Sequence, residues 1–303
     1  MPTFVTGPVE VSVPATSANL GPGFDSLGLS LSLRDLLVGE VTGERGLELT
    51  VSGMGAGEVP LDETHLVYRA MSEAFAEMGC AVPGIRLHCD NRIPHSRGLG
   101  SSSAAIVGGI CLARGLVAGG SLLMDDDAVF GLAARMEGHP DNVAPAFYGG
   151  FTIALPHEGG FHATAVSVDP RVKVVVFVPP EPLKTTVARG LLPDTVPHAD
   201  AAAAAAHAAL LVVALSGRPE LLHAATEDFL HQDYREPAMP ESLGLVRGLR
   251  RDGVAAVVSG AGPSVLAFVD GSTDADVRRS VPAGWDVVSL AVDPTGTRVS
   301  GGS

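Results

Sequence analysis

The chain has 303 residues, 46% of them hydrophobic and 18% charged, a composition that can bury a large core and excludes disorder. Twenty Lys and Arg stand against 34 Asp and Glu, so the formal charge is −14 and phosphate backbones and anionic membrane surfaces are repelled. No local basic patch reverses this, and neither nucleic acid nor membrane is expected as a partner.

At this length two moderate domains are the expectation. Cys80, Cys89 and Cys111 form no CxxC pair and read as buried small hydrophobes in a reducing compartment. The opening MPTFVTGPVEVSV carries no basic segment followed by a long apolar one. The apolar stretch 201–215 is read as too short for a membrane span, and it carries His207. A cytoplasmic protein is expected.

In chain order, 9–13 alternates as a strand does, 36–41 and 47–51 are β-compatible, and 65–78 has apolar residues at helical spacing. Another strand is predicted at 84–90. A glycine-serine loop at 97–103 then leads into a small-residue helix through about Val117, and a further helix starts at Asp125, Asp126 and Asp127, whose carboxylates suit a helix N-terminus. The His, Gly and Pro content of 155–170 interrupts two β-compatible runs and places a domain break near 158. Beyond it come a β-branched run at 172–178, an alanine-rich helix at 200–215, a helix at 241–251 and short strands at 254–258 and 265–269. Segments 276–280 and 286–291 complete a mixed α+β layer.

Four segments can carry chemistry. PHSRGLGSSSAA (94–105) joins a strand to a helix; its glycines let the backbone approach a ligand, and the helix start adds free N–H groups and a positive dipole end, a site for polyphosphate. It is neither GxxxxGKS nor GxGxxG. SGAGPS (259–264) is a second small-residue loop between predicted strands. EGHPDNVAPA (137–146) brackets two carboxylates, an imidazole and an amide with prolines, and a carboxylate beside polyphosphate is a candidate Mg²⁺ ligand. PATSANLGPGFD (14–25) puts Asn19 and Asp25 in a glycine-kinked turn suited to a small polar ligand. Each segment alone also reads as an ordinary turn or capped helix end.

Together and in this order the four resemble the GHMP kinase superfamily over nearly the whole chain. Its phosphate-loop pattern PxxxGLGSS is matched from Pro94 to Ser102, and its glycine turn by 259–264. Within the superfamily, PATSANLGPGFD and HPDNVAPA resemble the branch that phosphorylates homoserine; sugar and mevalonate kinases usually begin with a different, often lysine-bearing, segment. The resemblance implies an α+β architecture of two domains. Residues 1–158 would form a ribosomal-protein-like β-α-β domain that binds ATP, and 159–303 a ferredoxin-like α+β domain. It also implies L-homoserine as acceptor, and suggests a homodimer.

By the same resemblance, ATP is held by Pro94, His95, Ser96, Arg97, Gly98, Leu99, Gly100, Ser101, Ser102, Ser103 and Ala104, with Gly260 and Gly262 from the second loop. Mg²⁺ falls to Ser102 and Glu137, although only Gly138 separates Glu137 from His139, a shorter spacing than in many relatives. Arg189 and Arg235 match the carboxylate-binding arginines, and Asn19, Asp25 and Asp141 the amino and hydroxyl ends. Asp141, Asn142 and His139 form the catalytic group; Asp141 is regarded as a base in mevalonate-kinase-like relatives and binds the amine in the homoserine branch. Another small-alcohol kinase and a catalytically degenerate nucleotide sensor are the competing expectations, and intact Ser102, Glu137, Asp141 and Asn142 oppose the latter.

Overall fold

The computed structural model describes residues 3–302. Its first sheet grows from alternation: in β1 (Val9–Ala18), Val9, Val11 and Val13 are buried while Glu10 faces out. β1 pairs antiparallel with β2 (Leu27–Thr42), and the register slips between Pro14 and Ala15, where proline has no N–H to give. β3 (Leu47–Gly53) lies parallel to β4 (Gly84–Asn91), which requires a crossover, and α1 (Leu66–Glu77) supplies it. Val67, Met71, Ala74 and Phe75 form the buried stripe of that helix.

α2 (Ser101–Leu116) packs between α1 and β1 and is buried along nearly its whole length. Then come α3 (Gly120–Leu123), α4 (Asp126–Glu137) and α5 (Val143–Tyr148), and Asp125 caps α4 by accepting the Ala128 N–H, as its sequence position predicts. β5 (Phe151–His157) and β6 (Gly160–Val166) form a hairpin on the N-terminal end of β2.

The second sheet contains β7 (Lys173–Val178), β8 (Ala256–Val258), β9 (Val265–Val269) and β10 (Asp286–Ala291). Its order is β10-β7-β9-β8, every pair antiparallel, which is 4-1-3-2 counted from β7 and matches the ferredoxin-like expectation. The run of β-branched residues in β7 is explained by burial on both faces. Val174, Val176 and Val178 enter the larger core, and Val175 and Phe177 a second one against Leu243, Val246 and Leu249. Around this sheet lie α6 (Thr185–Arg189), α7 (His198–Gly217), α8 (Leu222–Ala225), α9 (Pro240–Arg251) and α10 (Asp274–Arg278), with a 3₁₀ turn over Asp233–Ala238.

Three features depart from the sequence expectations. Residue 158 lies in the β5–β6 turn, so the crossing between sheets occurs at 167–172 instead. The last strand, β11 (Arg298–Gly301), returns to pair with β1, so the first layer is built from both ends of the chain. The helix read as 200–215 extends to 20 residues and is long and apolar enough, by length and composition, to cross a membrane. It buries Ala204, Leu211, Ala214 and Leu215, and His207 on it hydrogen-bonds the Ala224 carbonyl.

Candidate active site

The phosphate loop is shaped by two glycines in the left-handed region, Gly98 (φ 72°) and Gly100 (φ 70°). A Cβ on Gly98 would sit 2.2 Å from the Ser259 carbonyl oxygen, and one on Gly100 would sit 1.9 Å from Thr16 Oγ1. The bare backbone is therefore what lets the three segments close on one another. Ser259 Oγ donates to the Gly98 carbonyl at 2.7 Å, Gly260 N to Ala18 O at 3.1 Å, and Thr16 N to Leu99 O at 3.1 Å. The first ladder bond of α2 runs from Ala104 N to Gly100 O, so the amides of Ser101, Ser102 and Ser103 are not spent within the helix. Ser101 and Ser102 line the cleft, so the start of this 16-residue helix presents an arrangement suited to an anion.

Glu137, the last residue of α4, reaches this helix start. Ser102 Oγ donates to its Oε2 at 2.8 Å and Ser103 Oγ to its Oε1 at 3.0 Å. The close spacing to His139 is accommodated because Gly138 turns the chain in the left-handed region.

The opposite wall is charged. Arg189 grips Asp25 with both arms, Nη1–Oδ2 at 3.0 Å and Nη2–Oδ1 at 2.6 Å, and this hydrogen-bonded carboxylate raises the arginine's pKa. Arg235 is 1% exposed, and burial followed by the like charge of Arg189 brings its pKa down to about 10, still cationic at neutral pH. The Phe24 ring lies under both guanidinium groups, 5.7 Å from Arg189 Cζ and 5.5 Å from Arg235 Cζ. Asp141, 2% exposed, accepts from the Asn142 amide at 2.9 Å and meets His139 Nδ1 at 3.0 Å. That hydrogen bond, more than the charge of Asp141, raises the His139 pKa against the opposing effect of burial.

Asn19, Leu20 and Asp25 all have positive φ, a conformation costing on the order of 1 kcal/mol or more for a side-chain-bearing residue. Asn19 holds it: its Oδ1 accepts from Asp25 N at 2.9 Å and its Nδ2 donates to Gly260 O at 2.8 Å. Asn19 thus clasps the N-terminal loop to the glycine turn.

Of the residues singled out in the sequence, Asn19, Ser96, Gly98, Gly100, Ser101, Ser102, Glu137, His139, Asp141, Asn142, Arg189, Arg235 and Gly260 line one cleft of about 130 Å³, with Asp25 attached through Arg189. Others lie apart. Leu99 is in the core at 1% exposure, and Gly262 backs onto Met239. Arg97 turns away to the Pro179 and Pro180 carbonyls, tying the loop to the segment after β7. His95 and Ala104 border a neighbouring pocket of about 320 Å³, lined also by Val59, Pro60, Leu66 and Asn91 and by the buried His65.

Sequence reasoning passed over that pocket, and also Thr16, Phe24, Asp228 and His231. Thr16 Oγ1 donates to Asn142 Oδ1 at 2.8 Å, and His231 contacts Arg235. The Gly- and Pro-containing stretch 53–60 was the available signal for the pocket; nothing in the local pattern marks His231.

Comparison with known proteins agrees with this geometry. Residues 65–150 match the family model for the GHMP kinases N terminal domain, and 203–287 that for the GHMP kinases C terminal region. The chain belongs to the GHMP kinases. Homoserine kinases of Streptomyces avermitilis and Streptomyces coelicolor are each 51% identical over 298 residues, spanning 98% of this chain and 97% and 96% of theirs. The crystal structure of homoserine kinase from Cytophaga hutchinsonii shares the fold with a TM-score of 0.85 at 23% identity, covering 97% of each chain. A putative homoserine kinase from Listeria monocytogenes is similar at 30% identity and a TM-score of 0.78, covering 97% of this chain and all of that one. Within the GHMP kinases, the chain belongs to the homoserine kinase family.

Proposed function

We propose that this chain transfers the γ-phosphoryl group of ATP to the side-chain hydroxyl of L-homoserine, releasing ADP and O-phospho-L-homoserine. The observation that carries the proposal is the sharing of one cleft by an uncharged backbone loop built for polyphosphate and by Arg189, Arg235 and Asp141, a set that fits an amino acid. Homoserine's carboxylate needs the planar donor forks of the two arginines. Its ammonium needs an anion, and Asp25 and Asp141 offer carboxylates there. Asp141 is held by two hydrogen bonds, both on Oδ1, which fixes its carboxylate as an anchor for the ammonium.

The triphosphate lies along 98–103, and the less polar pocket formed by Val59, Pro60 and Leu66 beside the loop takes the base. Ser102 and Glu137 fit Mg²⁺: one carboxylate and one hydroxyl beside an anion site are hard oxygen donors, and this ion fills its other positions with phosphate and water. Among the described residues no group of three or more His, Cys, Asp or Glu could hold a metal ion. When bound, the ion neutralises charge on the transferring phosphoryl group. The protein's own contribution is to fix acceptor and donor in line and to offer amides to the developing charge.

Purified protein should release ADP in proportion to added homoserine, with O-phosphohomoserine seen by phosphorus NMR, and EDTA should abolish the reaction. Turnover of mevalonate or galactose with homoserine inert would refute the proposal.

A further inference from the structure

Arg235 and Arg189 face the same cleft, but they are held in opposite ways. Arg189 is paired with the carboxylate of Asp25, whereas both hydrogen bonds of Arg235 go to neutral groups, His231 Nδ1 at 3.0 Å and the Gly260 carbonyl at 3.2 Å. Both also use the same nitrogen, Nη1. That leaves the Nε–Nη2 edge, which presents two parallel N–H bonds, and its Nε is buried without a hydrogen-bond partner among the described residues. A buried cation with an unused donor is costly unless a ligand accepts from it.

His231 itself is 1% exposed and bonded at both ring nitrogens. Nε2 is 2.8 Å from the Gly21 carbonyl, which can only accept, so Nε2 carries the proton. The guanidinium can only donate, so Nδ1 must be bare. The two partners thus fix a neutral imidazole in one tautomer, and burial, which lowers the His231 pKa, acts in the same direction. Asp228 lies 3.6 Å from Nε2, but its oxygens already accept from the amides of Leu230, His231 and Gln232. Phe24 stacks on the imidazole, with centroids 5.3 Å apart and planes at 30°.

A carboxylate in place of His231 would orient Arg235 equally well, yet it would cancel the charge meant for the substrate. We infer that His231 is a positioning residue for the substrate carboxylate: as a neutral acceptor it holds Arg235 by Nη1 and leaves the charged Nε–Nη2 edge free. Through Gly21 it also fixes the loop bearing Asn19 and Asp25, so one imidazole sets both the arginine and the loop opposite it. A buried histidine is commonly only a satisfied core group; here the neutrality of its acceptor and the unpartnered Nε set it apart.

The inference rests on homoserine as acceptor, and the test separates the two. Wild-type protein is assayed with homoserine and with 3-amino-1-propanol, which has the same hydroxyl and amine but no carboxylate. His231→Phe keeps the stack and loses both hydrogen bonds; homoserine KM should rise on the order of 10-fold, the worth of a charged hydrogen bond, with ATP KM unchanged. His231→Asn, which returns an acceptor near Nδ1, should recover most of that loss. For 3-amino-1-propanol the loss in kcat/KM should be clearly smaller than for homoserine, because the Gly21 contact serves the amine side of both acceptors whereas Arg235 serves only the carboxylate. Equal losses on both acceptors, or an Asn variant no better than Phe, would overturn the positioning role. Should the variants fail to fold, ¹⁵N NMR of the wild-type imidazole decides: a single neutral Nε2–H tautomer from pH 6 to 8 supports the inference, and an Nδ1–H or charged ring overturns it. If wild-type protein leaves homoserine untouched, the proposed function fails, while the tautomer still reports on His231.

Discussion

The two walls of the cleft solve opposite problems with different parts of the chain. The wall proposed for phosphate is backbone, with bare glycines, the unspent amides of 101–103 and a helix dipole. The wall proposed for the acceptor is side chain, with Arg189, Arg235, Asp25, Asp141 and His139 meeting from segments spread from residue 25 to residue 235. A polyphosphate carries many equivalent oxygens and needs donors without strict identity, which backbone supplies wherever the chain can approach closely. A zwitterion needs opposite charges at fixed spacing, which only side chains supply. The backbone wall should therefore fail through shape, and the side-chain wall through charge.

The largest expected effect is at Gly98. A Cβ there would meet the carbonyl oxygens of Ser259 and Gly262 at 2.2 and 2.9 Å, backbone atoms that cannot swing aside. The residue would also be held at φ 72°, a strain of about 1–3 kcal/mol for a residue other than glycine. Gly98→Ala should lower the melting temperature by several degrees and cut kcat/KM for ATP by roughly 10²-fold or more, comparable to removing a preorganised oxyanion donor. Thermal melts and steady-state kinetics check both. An ATP kcat/KM that stays put would show that the loop's shape is not what binds phosphate.

The contrast also explains what could be read from the sequence. Pro94 to Ser102 was legible because its amides come from consecutive residues whose glycines and serines announce the turn. The antiparallel order of the second sheet was not legible from strand patterns and came only with the resemblance. The break placed at 158 missed because hairpin turns and domain crossings share the same Gly, His and Pro chemistry, and because the return of β11 to β1 is a pairing across the whole chain. Asp25 and Arg189 were reached by resemblance to a family. His231 was not reached at all, since its role exists only once Gly21, 210 residues away, is beside it.

Within the side-chain wall, the two arginines should not be equivalent. Arg235→Lys replaces a buried fork whose Nε is free by a point charge with one contact direction. It should cost about 1.5–3 kcal/mol of homoserine binding, a KM increase of roughly 10- to 100-fold. Arg189 is 35% exposed and shares its charge with Asp25, which a lysine can still pair, so Arg189→Lys should raise homoserine KM only about 5-fold. ATP KM should hold in both variants. An Arg189 effect matching or exceeding that of Arg235 would mean that the unpaired cation is not the main carboxylate anchor.

The smallest effect concerns pH. His139 is hydrogen-bonded to Asp141, and that bond holds its pKa above 6.5. The folded protein therefore binds this proton more tightly than the unfolded chain does. The pair's stabilisation is therefore fully present below pH 6.5 and is lost as pH rises through the raised folded value. Urea unfolding at pH 6 and pH 9 should show wild-type protein losing more stability relative to His139→Asn, by no more than about 1 kcal/mol, at the higher pH. Homoserine affinity should move the other way. While His139 is charged, its proton competes with the substrate ammonium for Asp141; once it is neutral, Asp141 faces the ammonium with its charge less compensated. Glu137 and Arg189 also act on His139, but with opposite signs and more weakly than Asp141. Homoserine KM should thus fall a few-fold on the alkaline side of this titration, ATP KM should stay flat, and His139→Asn should flatten the homoserine profile. A pH-dependent KM for ATP with a flat one for homoserine would reverse the assignment of charge and backbone to the two walls.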